Sequence, residues 1–308
     1  MGVGSISSGD PSTKAPATLL VACDFDHTLI DVNSDLVLFR DLPYGKALLP
    51  RFASLRQEQG MAWTQIMQSQ LAELAQSEGY SKQDVLKCLH SVKMDPVLIT
   101  AFRALHSSQD PSIKVIIASD ANTIFIDEIL KANGVEEGTF DMVYTNPGSW
   151  IEGDAIQVEP YQTISSPHDC PRTCPANMCK SGILQRARKE LNLDQVEDLQ
   201  IVYAGDGGND YCPSLSLSES DLVLVREGLA LHKLIENAKA ITKENAGSET
   251  DKPIAKQVVA QQRLWKTQRE LGEIFLHLLP QPQLAGKTSV NKDAVDVIAQ
   301  GIEKGLKL

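Results

Sequence analysis

The chain contains 308 residues, of which 42% are hydrophobic and 22% charged, and this composition is typical of a soluble globular protein. A formal net charge of -11 argues against nucleic acid or an anionic membrane surface as the principal partner. No apolar run reaches about 18 residues, so no transmembrane helix is expected, and six cysteines in a chain of this length predict reduced thiols and a cytoplasmic location.

Short apolar runs separated by helical patterns predict an α/β fold with a doubly wound, mainly parallel sheet. Before the first run, residues 1–17 are rich in Gly, Ser and Pro, and we expect them to form a disordered leader. The runs predicted to form buried strands are LLVAC (19–23), KVIIAS (114–119), LQIVYAG (199–205) and DLVLVR (221–226). Between them, DEILKANG predicts a helix that stops at Gly134.

Residues 34–95 interrupt this alternation, because helical patterns follow one another there, among them 63–79 and 81–92. We therefore expect a small helical cap inserted after the first strand. The expected divisions are a core at 18–33 and 96–280, the cap at 34–95 and a C-terminal tail at 281–308. Within the core, 149–161 predicts a hairpin that turns at Gly153, and 262–279 predicts an amphipathic helix.

Four acidic residues follow the predicted strands. Asp24 and Asp26 come directly after the first strand, and Asp206 and Asp210 lie on the glycine-rich turn GDGGND after the third. Ligands of open α/β sheets bind at the carboxyl ends of the strands. Because carboxylates that converge there repel one another, a cation is expected among them, and Mg²⁺ is the one that prefers hard oxygen ligands.

The motifs DFDHTLIDVNSD, SDANT, CPANMCK and GDGGNDYCP occur in this order. They resemble the signature motifs of the haloacid dehalogenase (HAD) superfamily of phosphohydrolases. More narrowly, they are similar to the PHOSPHO family, which groups phosphoethanolamine/phosphocholine phosphatases with pyridoxal-phosphate phosphatases and plant phosphate-starvation-type phosphatases. The resemblance spans residues 18–280 and implies a HAD-like fold and a phosphatase that acts through an aspartyl-phosphate.

The resemblance also implies roles for the four acids. Asp24 would attack phosphorus, and Asp26 would protonate the leaving oxygen and later activate water. Mg²⁺ would be held by Asp24, the backbone carbonyl of Asp26, and Asp206. Asp210 would support the metal shell from outside or orient Lys180.

Further residues would contact the substrate. Ser119 and Lys180 would hold the phosphoryl oxygens, the first through its hydroxyl group and the second as a point charge. The resemblance adds four substrate-binding positions: Asp35, Asp120, Asn122 and Gly207. The glycine lets the backbone approach closely. Asp35 and Asp120 correspond to acidic positions linked to recognition of a cationic head group.

The expected partner is therefore a small phosphate ester, with phosphoethanolamine or phosphocholine as the leading substrate. Several cationic residues of the cap favour a more anionic substrate such as pyrophosphate: Arg40, Lys46, Arg51 and Arg56. Pyridoxal phosphate also remains open, as does transfer of phosphate to an acceptor other than water. A binding protein without activity is disfavoured because Asp24 and Asp26 are both present. The sequence does not predict an oligomeric state.

A cluster of possible metal ligands precedes Lys180 in HDCPRTCPANMCK. Cys170, Cys174 and Cys179, with His168 as a fourth ligand, could hold Zn²⁺. Relatives in the resembling family have one residue fewer before the second cysteine of CPANMCK, and no C-x₂-C pair occurs in the chain. We expect buried or free thiols here, with a zinc site and an accessory disulfide as the alternatives.

Overall fold

The computed structural model describes residues 18–109, 111–163, 168–172, 174–245 and 256–279. The predicted leader at 1–17 and the predicted tail at 281–308 lie outside these described residues.

A six-stranded parallel sheet forms the centre of the described chain, in the order β3-β2-β1-β6-β7-β8, and β4 and β5 form a separate antiparallel hairpin. The strands are β1 (Thr18–Cys23), β2 (Ser112–Asn122), β3 (Met142–Asn146), β4 (Gly148–Trp150), β5 (Ile156–Val158), β6 (Leu199–Gly205), β7 (Leu222–Arg226) and β8 (Gln261–Trp265). The predicted doubly wound α/β fold is confirmed.

Helices connect the strands. They are α1 (Val37–Asp41), α2 (Pro43–Gln57), α3 (Trp63–Ala75), α4 (Lys82–Ser91), α5 (Pro96–Ser107), α6 (Thr123–Ala132), α7 (Lys180–Glu190), α8 (Tyr211–Ser214), α9 (Ala230–Asn245) and α10 (Gln268–Leu276). Within the described residues, no helix is both long and apolar enough to cross a membrane.

The central strand β1 is buried on both faces. Leu19, Val21 and Cys23 belong to one buried cluster, together with residues of α5, α6 and α10. Leu20 and Ala22 face the other way and pack in a second cluster with residues of α7 and α9. A strand covered by helices on both sides needs an apolar residue at every position, which explains why LLVAC shows no alternation of polar and apolar residues.

The predicted cap segment forms α1 to α4. Ser81 begins α4 as expected, because its hydroxyl oxygen accepts a hydrogen bond from the backbone N–H of Asp84 at 3.2 Å. Phe52 lies between Phe39 and Trp63, with ring centroids 4.8 and 5.6 Å apart, and joins α1, α2 and α3. The helices agree with the sequence pattern, and the division into cap and core stays a prediction.

The hairpin prediction is confirmed, since β4 and β5 pair in antiparallel fashion and Gly153, with φ of +76°, lies between them. The prediction of one helix over 262–279 is wrong at its start. Gln261–Trp265 forms the edge strand β8, and the helix begins at Gln268 after its N-cap Thr267. An edge strand with mixed polar and apolar residues fits a helical period as well as a strand period.

Candidate active site

The site lies where three adjacent strands end. Asp24 follows β1, Asp206 follows the neighbouring β6, and Ser119 lies near the end of β2 on the other side. The backbone N–H of Asp24 donates to the carbonyl of Ala204 at 2.9 Å. The chain therefore stays hydrogen-bonded to β6 for one residue beyond the end of β1. Carboxylate oxygens of Asp24, Asp206 and Asp210 lie within 4.8 Å of one another, as the sequence predicts.

Lys180 is the cation at the centre of these acids. It is the first residue of α7 and only 2% exposed, and its Nζ lies 2.7 Å from Asp24 Oδ2 and 2.8 Å from Asp210 Oδ1. Burial by itself lowers the pKa of Lys180, but the nearby carboxylates of Asp210 and Asp24 raise it above its ordinary value. Lys180 therefore stays charged and points at the predicted nucleophile.

Asp210 is held by four hydrogen bonds. Its Oδ1 accepts from Lys180 Nζ at 2.8 Å and from the Tyr203 hydroxyl group at 2.6 Å. Its Oδ2 accepts from the backbone N–H groups of Asp206 at 3.0 Å and Gly207 at 2.8 Å. Because both oxygens already have partners, this geometry favours Asp210 as the residue that orients Lys180 rather than as a direct metal ligand.

Asp26 lies beside the cavity with a single backbone donor. Its Oδ1 accepts from the N–H of Ser34 at 2.9 Å, and the residue is 9% exposed. Burial raises the pKa of Asp26 to about 7, although the hydrogen bonds from Ser34 oppose the shift. A carboxyl group with this pKa can give and accept a proton near neutral pH.

The acids fit a hard divalent cation. Burial, followed by the charge of Asp210, raises the pKa of Asp206 to about 7. Burial also raises the pKa of Asp24 well above its usual range, even though Lys180 opposes this. Burial is the largest cause of both shifts, and the neighbouring carboxylates add to it, so a cation bound here would favour the charged forms of these acids. Carboxylate oxygens are the ligands that Mg²⁺ prefers, so Asp24 and Asp206 are suited to hold it.

A cavity of about 550 Å³ opens next to Lys180 and Asp26 and extends to the connection between α2 and α3. Asp35 lines it and accepts a hydrogen bond from Trp63 Nε1 at 2.6 Å. Burial, followed by the charge of Asp26, raises the pKa of Asp35 well above its usual range. The cavity is also lined by Asn33, Arg56, Gly60, Met61, Ala62, Thr64, Asp120, Pro175, Ala176, Asn177, Met178 and Asn209.

Two of the predicted substrate-binding residues do not line the cavity. Asn122 is fully buried, does not line the cavity, and caps α6 by accepting from the N–H of Phe125 at 3.1 Å. The backbone N–H of Gly207 donates to Asp210 and so is not directed at a ligand. By contrast, Asp120 lines the cavity and accepts from Asn209 Nδ2 at 3.3 Å.

Ser119 is fully buried, and its Oγ accepts from the N–H of Ala121 at 3.3 Å. The sequence pattern ends the second strand at this serine, but β2 continues to Asn122. Its pairing with β3 is irregular between Ala118 and Asn122. Ser119 therefore lies within an irregular stretch of the strand.

The cationic residues of the cap are mostly engaged elsewhere. Arg51 forms an ion pair with Glu73, and Arg40 donates to the carbonyl of Asn33 at 3.2 Å. Lys46 is exposed and does not line the cavity. Arg56 does line it, with its guanidinium carbon 6.0 Å from the Trp63 ring centroid.

The cysteine cluster differs from the set predicted from the sequence. Sulfur atoms of Cys170, Cys174, Cys179 and Cys212 lie within 4.8 Å of one another. His168 is not the fourth member, because its Nε2 lies 2.8 Å from the Pro175 carbonyl oxygen and its Nδ1 accepts from the N–H of Cys170. No disulfide joins the four cysteines, so the accessory disulfide is absent.

Sequence reasoning missed several supporting residues. Tyr203 lies outside the motifs, and Ser34 lies inside DFDHTLIDVNSD without a recognisable role, since a strand tyrosine and a loop N–H look ordinary until the fold places them beside Asp210 and Asp26. Cys212 lies two residues after GDGGND and is visible in the sequence, but its distance of 33 residues from Cys179 hides the relation.

Residues 19–279 match the model of a protein family described as "Putative Phosphatase". The "Thiamine phosphate phosphatase-like protein" of Arabidopsis thaliana is 33% identical, with 79% of this chain and 96% of the relative covered. "Inorganic pyrophosphatase 1" of Arabidopsis thaliana is 32% identical, with 74% of each chain covered. Human "Pyridoxal phosphate phosphatase PHOSPHO2" is 32% identical, with 70% of this chain and 86% of the relative covered.

Among solved structures, the unliganded crystal structure of a "probable phosphoserine phosphatase" from Vibrio cholerae superposes with a TM-score of 0.50. The match covers 85% of this chain and 67% of that chain at 14% sequence identity. At this identity the likeness shows the fold alone.

Proposed function

We propose that this chain, which belongs to the "Putative Phosphatase" family through its match over residues 19–279, is a Mg²⁺-dependent hydrolase of a small phosphate monoester with a positively charged leaving group. The observation that carries the substrate class is the pair of carboxylates, Asp35 and Asp120, that line the cavity beside Trp63. The chemistry follows from the side chains at its inner end.

Phosphoryl transfer begins at Asp24. A carboxylate oxygen of Asp24 forms a bond to phosphorus while the bond from phosphorus to the leaving oxygen breaks. Asp26 gives its proton to that oxygen, so the leaving group departs with a hydroxyl group rather than as an alkoxide. In the second step a water molecule gives a proton to Asp26 and attacks phosphorus, which releases phosphate and restores Asp24.

Lys180 and Ser119 hold the phosphoryl oxygens during both steps. The ammonium group of Lys180 is kept in place by Asp210, which Tyr203 and two backbone N–H groups hold in turn. Preorganised charge of this kind stabilises the negative charge of a transferring phosphoryl group without reorganisation. Mg²⁺ bound by Asp24 and Asp206 would offset the charge that carboxylates and phosphate bring together.

Two acidic residues of the cavity lining, Asp35 and Asp120, support recognition of a cation. Trp63 also lines the cavity, and its ring is of the type that binds ammonium groups. The cationic lining residues are Lys180, which is buried between Asp24 and Asp210, and Arg56, which is exposed and lies beside the Trp63 ring. Phosphocholine and phosphoethanolamine suit this arrangement, whereas a second phosphate would approach two carboxylates.

Thiamine phosphate is a second candidate. It combines a cationic ring with a phosphate monoester, and a cavity of about 550 Å³ has room for a leaving group larger than ethanolamine. The name of the Arabidopsis thaliana relative that is covered over 96% of its length points in the same direction.

The test is phosphate release by the purified protein with Mg²⁺ from phosphocholine, phosphoethanolamine, thiamine phosphate, pyridoxal phosphate and pyrophosphate. We expect the cationic esters to have the highest kcat/KM, and release to stop with EDTA or in Asp24→Asn. Asp35→Asn should raise KM for the cationic esters and leave 4-nitrophenyl phosphate hydrolysis unchanged.

A preference for pyrophosphate would overturn the cationic substrate class and direct attention to Arg56. Release that is equal with and without Mg²⁺ would overturn the metal requirement. The same assay with glycerol or another alcohol present distinguishes hydrolysis from transfer, since a phosphotransferase would form a new phosphate ester at the expense of free phosphate.

A further inference from the structure

Three cysteines of one loop and a fourth that is distant in sequence meet at one point beside the active site. Cys170 and Cys174 lie in the loop before α7, Cys179 directly precedes α7, and Cys212 lies in α8. Cys179 and Cys212 are buried, whereas Cys170 and Cys174 are half-buried at the rim. The cluster is therefore closed on its inner side and reachable by an ion from the outside.

The sulfur separations have the size that a tetrahedral metal site requires. Sγ atoms lie 3.7 Å apart for Cys170 and Cys174, 3.6 Å for Cys170 and Cys212, and 3.8 Å for Cys179 and Cys212. Four thiolates at about 2.3 Å from Zn²⁺ in a tetrahedron lie about 3.8 Å from one another. A disulfide would bring two sulfur atoms to about 2.05 Å, and the cluster shows no such pair.

The surroundings match a thiolate site. Arg172 Nη1 donates to Cys212 Sγ at 3.5 Å and places a positive charge beside the sulfur atoms. Zn²⁺ with four thiolates carries a net charge of about -2, so a neighbouring guanidinium group offsets part of it. His168 supports the loop from outside, because the backbone N–H of Cys170 donates to its Nδ1 at 3.3 Å.

We propose that Cys170, Cys174, Cys179 and Cys212 bind one structural Zn²⁺ ion, with all four thiols losing their protons on binding. The four sulfur atoms form a site of soft ligands. It is separate from the carboxylates of Asp24 and Asp206, which suit Mg²⁺. With four protein ligands it has no open position, so it does not take part in the chemistry.

The site ties together the two loops that build the active site. Cys179 directly precedes Lys180, and Cys212 follows Asp210 by two residues. A metal held by both cysteines fixes the start of α7 against the glycine-rich turn. The hydrogen bond of 2.8 Å between Lys180 and Asp210 then depends on the ion, which makes the four cysteines positioning residues.

Metal content is the first readout. Protein purified under reducing conditions without added metal should contain one zinc per chain by plasma mass spectrometry. Cys170→Ala and Cys174→Ala, both at the rim, should lose it, whereas Cys88→Ala removes a buried cysteine outside the cluster and should keep it. The proposal would be overturned if the wild-type protein contained less than about 0.1 zinc per chain and did not gain zinc on incubation with Zn²⁺. It would also be overturned if both rim variants kept a full zinc content.

Cobalt substitution tests the ligand set without any variant, so it remains decisive if the alanine variants fail to fold. Wild-type protein with Co²⁺ in place of zinc should show the intense thiolate-to-cobalt charge-transfer band and the visible bands of a tetrahedral ion. A spectrum without charge transfer would contradict ligation by the cysteines. Protein stripped of zinc and assayed with saturating Mg²⁺ should show a kcat about 10-fold lower, and addition of Zn²⁺ to the same Mg²⁺-containing assay should restore it.

Discussion

At the scale of single residues, the site separates its carboxylates by environment. Asp26 has one backbone donor and a pKa raised to about 7, so it suits proton transfer. Asp210 has four donors and orients Lys180. Asp24, the proposed nucleophile, lies against Lys180 and next to Asp206. Residues of one type therefore differ in their roles because the fold gives them different partners.

Asp26→Asn should lower kcat for an alkyl phosphate ester by about 10²–10⁴-fold, because the leaving alkoxide then departs without a proton. The loss should be much smaller for 4-nitrophenyl phosphate, whose leaving group is stable as an anion. Steady-state kinetics with both substrates measures the difference. Equal losses for the two esters would assign Asp26 a structural role instead.

Tyr203→Phe should weaken the support of Lys180. Removal of a hydrogen bond to a buried carboxylate should lower the free energy of unfolding by about 1.5–3 kcal/mol, and kcat should fall because the ammonium group is less well oriented. Tyr144→Phe is the matched control, since its hydroxyl group donates to Glu190 at 2.7 Å, away from the site. Denaturant unfolding and steady-state kinetics of both variants should show that only Tyr203→Phe lowers kcat. An unchanged kcat in Tyr203→Phe would contradict the positioning role.

At the scale of elements, the turn after β6 is the most constrained part of the site. A Cβ atom on Gly205 would lie 2.5 Å from Asp210 Cγ, so the strand can end in this way only with glycine. The turn that follows directs two backbone N–H groups at Asp210. The sequence motif GDGGND thus encodes a close approach of backbone and carboxylate.

Gly205→Ala should displace Asp210, lower the free energy of unfolding by about 1–3 kcal/mol and reduce kcat. Gly182→Ala in α7 is the control, since its Cβ would come no closer than 3.9 Å to Cys179 Cβ. Gly182 is exposed and lies inside a helix, so its replacement by alanine should raise the free energy of unfolding by up to about 1 kcal/mol. Similar thermal stability and activity in the two variants would show that the turn tolerates a side chain.

Element prediction from the sequence succeeded where a strand is buried on both faces and failed at the edges of the sheet. LQIVYAG forms β6 with the predicted bounds, because continuous apolar residues have one interpretation in a parallel sheet. The edge strands β3 and β8 were not predicted. In β8, Leu264 is exposed while Trp265 is buried, and pairing with β7 decides the conformation that the local pattern leaves open.

At the scale of the whole molecule, the carboxylates gathered at the sheet edge cost stability that a bound cation recovers. Burial raises the pKa of Asp206 to about 7, against about 4 in an unfolded chain. The folded protein therefore binds a proton that the unfolded chain has lost. This contribution to stability is fully present below about pH 4 and is lost as the pH rises through about 7.

In EDTA, the free energy of unfolding of the wild-type protein relative to Asp206→Asn should therefore fall between about pH 4 and pH 7 and level off above. Addition of Mg²⁺ at pH 8 should stabilise the wild-type protein more than the variant. Denaturant unfolding of both proteins across this pH range measures the difference in their free energies of unfolding. A difference that does not vary with pH would contradict the raised pKa of Asp206.

The site could be predicted from the sequence as far as its motifs extend. Asp24, Asp206, Asp210 and Lys180 do meet, because each follows or begins an element whose end lies at one sheet edge. Contacts between distant elements carry no local signal, so the pairing of Cys212 with Cys170 and of Trp63 with Asp35 emerged only from the fold. Asn122 caps α6, which the motif did not indicate, and its role in substrate binding stays a prediction.

The most direct test of the proposed chemistry is detection of the phosphorylated enzyme. The protein is mixed with Mg²⁺ and substrate, quenched in acid during turnover, digested and analysed by mass spectrometry. We expect the peptide that contains Asp24 to carry one phosphoryl group that hydroxylamine removes, and Asp24→Asn to carry none. Full turnover with no phosphoryl group on that peptide, under conditions that preserve acyl phosphates, would contradict transfer through Asp24 and would mean that water attacks the substrate directly.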